Sequence, residues 1–72
     1  MTKDKVIELA TEETRKAFPN LETSNPSYFS GVVQQITNTI VNDYALNALG
    51  SEEKVRELMA LDLEDLKEAL IK

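Results

Sequence analysis

Cysteine and histidine are both absent from this 72-residue chain. Without thiols there can be no disulfide and no thiolate metal site, and without imidazole the commonest zinc ligand is missing. The same two absences remove the side chains that most often act as nucleophile or general base. Glycine is scarce, with two residues, and no P-loop, G-x-G-x-x-G or G-x-S-x-G pattern can be found. The calcium loop with its glycine turn is missing as well. The expectation is a protein that is not an enzyme and holds no cofactor.

A second scarcity is local. From Thr23 to Asn42 twenty consecutive residues contain no Asp, Glu, Lys or Arg, in a chain where 29% of residues are charged. The stretch is no membrane span. Eleven of its twenty residues are Ser, Thr, Asn or Gln, and Pro26 and Gly31 interrupt it, whereas a span is mostly apolar. The N-terminus is charged and lacks an apolar run, so no secretory signal is legible and a cytoplasmic location is the default expectation.

Basic clusters are lacking too. The net charge is −5; residues 1–22 carry four basic and five acidic side chains, residues 23–50 only Asp43, and residues 51–72 four basic and seven acidic. Lys3, Lys5, Arg15 and Lys16 are interleaved with acids, which argues against binding a nucleic-acid backbone. A chain this short is one domain at most, near the size where a single core is marginal. With disulfides and thiolate metal sites excluded, self-association is the compensation left open.

What is present reads as helix. Val6, Ile7, Leu9, Ala10, Ala17 and Phe18 recur at helical spacing. Thr2 suits the N-cap, Asp4 the first turn, and Glu12 and Lys16 are spaced to pair. Pro19 ends that helix, and Leu21 is expected to plug the core from the following loop. "SNPSYF" starts the next one, with Asn25 as N-cap and Pro26 at the first helical position. Phe29, Val32, Val33, Ile36, Ile40 and Tyr44 form its stripe, and Gly50 is a natural stop, giving about 24 residues or roughly 36 Å. Val, Ile and Thr raise a strand alternative, which the helical period and the length decide against. Ser51 caps a third helix with Glu52 and Glu53 in its first turn and a stripe of Val55, Leu58, Met59, Leu63, Leu66 and Leu70. Leu61 falls off that stripe and Asp62 offers a second N-cap, so a break near 61–62 stands as an alternative.

The expected fold is therefore all-α, a small three-helix domain with helices near 3–18, 26–49 and 51–71 and a long middle helix. Its expected core is Val6, Ile7, Ala10, Phe18, Val33, Ile36, Ile40, Val55, Leu58, Met59, Leu63, Leu66 and Leu70.

On a helical projection Gln34, Gln35, Asn38, Thr39 and Asn42, with Gly31, occupy the side of the middle helix opposite its stripe. Solvent-facing helix positions ordinarily carry Lys and Glu, which are better helix formers than Asn, Thr or Gly. Three readings compete: chance, coverage of a central middle helix by its two neighbours, and a contact surface for another chain, where charge is costly to desolvate. The length of the middle helix, beyond what the first can cover, favours the contact surface.

Glu13, Asp43 and Asp62 sit near apolar stripes, and converging carboxylates could bind a divalent cation. The plainer expectation is that each lies at a stripe edge or a helix break, or pairs with a base such as Arg15 or Arg56. Met59 reads as core, and Tyr28 and Tyr44 as core-edge residues with wet hydroxyls. The function expected from these features is a non-enzymatic protein-interaction module that self-associates, as a homodimer, through Gln34, Gln35, Asn38, Thr39 and Asn42. The alternative is an acidic regulator that binds a basic or nucleic-acid-binding protein through Glu57, Glu64 and Glu68 on the outer face of the third helix.

Overall fold

The computed structural model describes residues 1–71, and the side chains of all of these except Leu46, Leu70 and Ile71. The chain is all-α in its described residues: α1 (Lys3–Ala17), a one-turn α2 (Leu21–Ser24), α3 (Pro26–Asp43) and α4 (Glu52–Ile71), with a 3-10 turn at Leu46–Ala48. Among these residues no helix is long and apolar enough to cross a membrane.

The helix starts follow their capping chemistry. The Thr2 hydroxyl accepts from the Lys5 amide at 3.2 Å, Asn25 Oδ1 from the Tyr28 amide at 3.2 Å, and Ser51 Oγ from the Lys54 amide at 3.3 Å. Each satisfies an amide that the helix itself leaves without a partner. Leu21 packs against the core as expected, but from the helical turn of α2 rather than from a loop. Arg15 ties that turn to α1 by donating twice to Glu22, at 2.9 and 3.0 Å.

α3 ends at Asp43, six residues before the expected end at 49. Asn42 and Asp43 are weak helix formers, and a carboxylate at a helix C-terminus opposes the dipole. Tyr44 then turns extended, at φ −131 and ψ 139. Leaving the helix there lets the 3-10 turn bring Leu49 back onto the core, where it is 2% exposed. Gly50, read from sequence as the stop of the middle helix, instead adopts φ 77 and turns the chain toward α4. That conformation is open to glycine and costly for other residues. α4 runs unbroken through 61–62, so Asp62 is not a cap.

α1 is the helix with neighbours on two sides. It packs along both α3 and α4, while α3 and α4 meet only sparsely and leave an open groove between them. The core joins Val6, Leu9 and Ala10 of α1, Val32, Ile36 and Ile40 of α3, Leu49, and Val55, Met59 and Leu63 of α4. Because α1 is covered twice, its buried stripe widens to include Glu13 and Thr14. The Thr14 hydroxyl donates to the Ala10 carbonyl at 2.7 Å, and the buried Thr37 hydroxyl to the Val33 carbonyl at 2.8 Å. Both therefore lie in the core without an unmet hydrogen bond.

Several expected core positions move. Ile7 is 39% exposed, because it faces the rim between α1 and α3 rather than the shared centre. Phe18, Val33, Leu58 and Leu66 are half-buried and pack against the core from its edge. Leu9, Val32 and Phe29 are buried although the expected core omitted them. The side chain of Leu70 lies outside the described residues.

Charged side chains line the seam between α1 and α4. Lys5 reaches Glu52 at 3.0 Å, and Arg56 bridges Glu12 at 2.6 Å and Glu13 at 3.2 Å. The expected pairing of Glu12 with Lys16 gives way to this one, since Arg56 reaches Glu12 across the seam while Lys16 lies 3.6 Å from Glu13.

Candidate functional site

The five uncharged positions come together on α3. Gln34, Gln35, Asn38 and Asn42 are exposed, and Thr39 is half-buried with its hydroxyl donating to the Gln35 carbonyl at 3.0 Å. With Gly31 and Asp43 they line a shallow open depression on the outer side of the helix. Asp43 is the one charge in it, at the C-terminal end. Among the described residues no helix covers Gln34, Gln35, Asn38 or Asn42, so coverage by the neighbouring helices does not explain their lack of charge.

The face is bounded by two grooves. On the α1 side, Gln34 and Asn38 run into a rim that also carries Lys3, Ile7 and Val33. On the α4 side, Gln35 and Thr39 border the cleft left by the loose α3–α4 packing. A charge-free band of amides thus has apolar side chains available along both edges.

The three singled-out acids part company. Glu13 is 8% exposed and held by Arg56 on the α1–α4 seam. Asp43 is exposed at the end of α3, and Asp62 is half-buried on α4. Among the described residues no three acidic side chains gather closely enough to hold a metal ion. Tyr28 and Tyr44 are 37% and 41% exposed, and Met59 is fully buried.

Protonation separates these acids further. The Arg56 guanidinium, by hydrogen bonding, holds the Glu12 carboxyl below its ordinary value, and Arg15 does the same for Glu22. These pairs stabilise the fold above the usual carboxylate range, and that contribution is lost as pH falls through the lowered values. Asp62 goes the other way: burial, then Asp65 and Asp43, push its carboxyl up. For a raised carboxyl the native state binds more protons in the titration window, so stability declines as pH rises through it. Replacing Asp62 by Asn is expected to raise the melting temperature at pH 7. The gain should vanish below the ordinary aspartate value of about 3.9, where the wild-type carboxyl is neutral too. Thermal melts of both proteins from pH 3 to 7 measure it; a destabilised Asp62→Asn at neutral pH would mean the carboxylate has a favourable role.

The uncharged face was found in sequence by charge depletion; the α3–α4 cleft was not, because no periodicity encodes how far apart two helices lie. Comparisons of the chain with protein-family models, with curated proteins and with solved structures find no match.

Proposed function

We propose that this protein is a non-enzymatic interaction module of the cytoplasm that self-associates through the uncharged face of α3. One observation carries the reading: Gln34, Gln35, Asn38 and Asn42 stay exposed and charge-free in a chain of net charge −5. Two copies of an acidic protein repel one another over most of their surfaces. A face with almost no charge is where that repulsion is least, and amides can donate and accept across a two-fold axis to their own copies.

Gly31 supports the same reading. It lies inside α3 with ordinary helical backbone, and a Cβ added there meets nothing within 4 Å. Alanine in a helix interior is better by about 1 kcal/mol, so nothing within the single chain favours glycine. Close approach of a second backbone does. Gly31→Ala is therefore expected to stabilise the dilute protein, by up to about 4–8 °C in melting temperature, while weakening association several-fold. Melts at low concentration and sedimentation equilibrium read the two effects separately. Unchanged or stronger association in Gly31→Ala would count against a close α3–α3 contact.

The acidic-regulator reading keeps one observation in its favour. Glu57, Glu64 and Glu68 are exposed on α4, and among the described residues none of them forms an ion pair. A basic partner held there would be released by salt, since exposed charges are screened over about 8–10 Å.

A further inference from the structure

The sparse contact between α3 and α4 leaves a groove whose chemistry differs from that of the uncharged face. Val32 and Ile36, 3% and 4% exposed, form its floor beneath Gln35 and Thr39 of α3, while Leu66 and the exposed Ala69 line the α4 side with Asp62 and Asp65. The apolar pairs are spaced i,i+4 and i,i+3, so each presents one continuous strip along its helix. Among the described residues no ion pair reaches this acidic rim or Asp43, and Lys5, Arg15, Lys16 and Arg56 are engaged with glutamates of α1, α2 and α4. Burial first, and then the nearby Asp65 and Asp43, raise the Asp62 carboxyl.

An apolar channel with an acidic edge fits a helix that has an apolar stripe flanked by cations. A second copy of this chain does not supply one. The basic residues of α1 are interleaved with acids, the stripe of α1 is already buried between α3 and α4, and α4 is acidic. We infer that the α3–α4 groove takes a basic amphipathic helix of another protein, its apolar stripe on Leu66 and Ala69 over the floor of Val32 and Ile36, and its cations on Asp62 and Asp65. The site is distinct from the self-association face, with which it shares only Gln35 and Thr39, and it does not depend on that reading. It also differs from the outer acidic face of α4, since it needs apolar contact as well as charge.

A short leucine–lysine peptide that forms an amphipathic helix serves as the probe, titrated into isotopically labelled full-length protein. Amide shifts are expected to concentrate at residues 32–39 and 62–69. A peptide with glutamate in place of lysine should not bind. The double variant Asp62→Asn, Asp65→Asn should lose about tenfold in affinity or more, while melting no lower than wild type. Ala69→Arg, at an exposed position, should block the groove without touching the core. Asn38→Glu should leave peptide binding intact, which separates this site from the self-association face. Failure of the peptide to bind would overturn the inference. So would shifts centred on Glu57, Glu64 and Glu68, or equal losses when those three are changed to Gln.

Discussion

Leu9→Ala is expected to leave the protein without a cooperative thermal transition near room temperature. Leu9 is among the largest fully buried side chains and belongs to the helix that the other two enclose. Its truncation removes apolar contacts toward both α3 and α4 and leaves a cavity that neither can close without losing its hold on α1. A change of this kind costs about 3–4 kcal/mol, against a total of about 3–5 kcal/mol for a single core of this size. Ile36→Ala is expected to be milder, at about 2 kcal/mol. Ile36 is 4% exposed, but it lines the open α3–α4 groove, where water can take the vacated space. Urea denaturation of the two variants ranks them. Leu9→Ala falling below Ile36→Ala is the result that follows from a central α1; the reverse order would place α3 at the centre.

The second large effect concerns the uncharged face. Asn38 is exposed near the middle of the face, with Gln34 and Gln35 before it and Asn42 after. A two-fold contact through this face sets the residue near its own copy, so Asn38→Glu would bring two carboxylates together as water is removed. Like charges juxtaposed in an interface cost several kcal/mol, enough to weaken association about 100-fold or more, each 1.4 kcal/mol being tenfold. The fold itself should not suffer, since glutamate is a better helix former than asparagine. Leu61→Glu is the matched control: it adds the same charge at a position 61% exposed on α4 and away from the face. Dissociation by Asn38→Glu with Leu61→Glu near wild type separates local repulsion from the general effect of one more negative charge.

Much of this architecture is written locally. Thr2, Asn25, Pro26 and Ser51 start their helices by satisfying specific amides, and such signals need no knowledge of the rest of the chain. The end of α3 is different. A glycine after an apolar helix suits both a stop and a left-handed turn into the next helix, and Gly50 serves the second purpose. Asn42 and Asp43 weaken the end of α3 locally, but the gain from folding Leu49 onto a core assembled from other segments is in no local pattern. Ile7 and Thr14 make the same point from opposite sides. Periodicity marks which face of α1 is apolar, but only its double coverage decides that Thr14 is enclosed and Ile7 left at the rim. The uncharged face was legible because charge depletion is a property of composition. The α3–α4 groove was hidden because it depends on how far two helices diverge.

Mass in solution tests the self-association reading most directly. Sedimentation equilibrium of the full-length protein across a wide concentration range, at physiological salt, should show a monomer–dimer equilibrium. The contact is small and polar, so the dissociation constant should be micromolar rather than nanomolar. Asn38→Glu should sediment as a monomer throughout, with Leu61→Glu following the wild type. A wild-type protein that stays at 8.1 kDa at the highest concentration, or one whose dimer survives Asn38→Glu, would contradict the account.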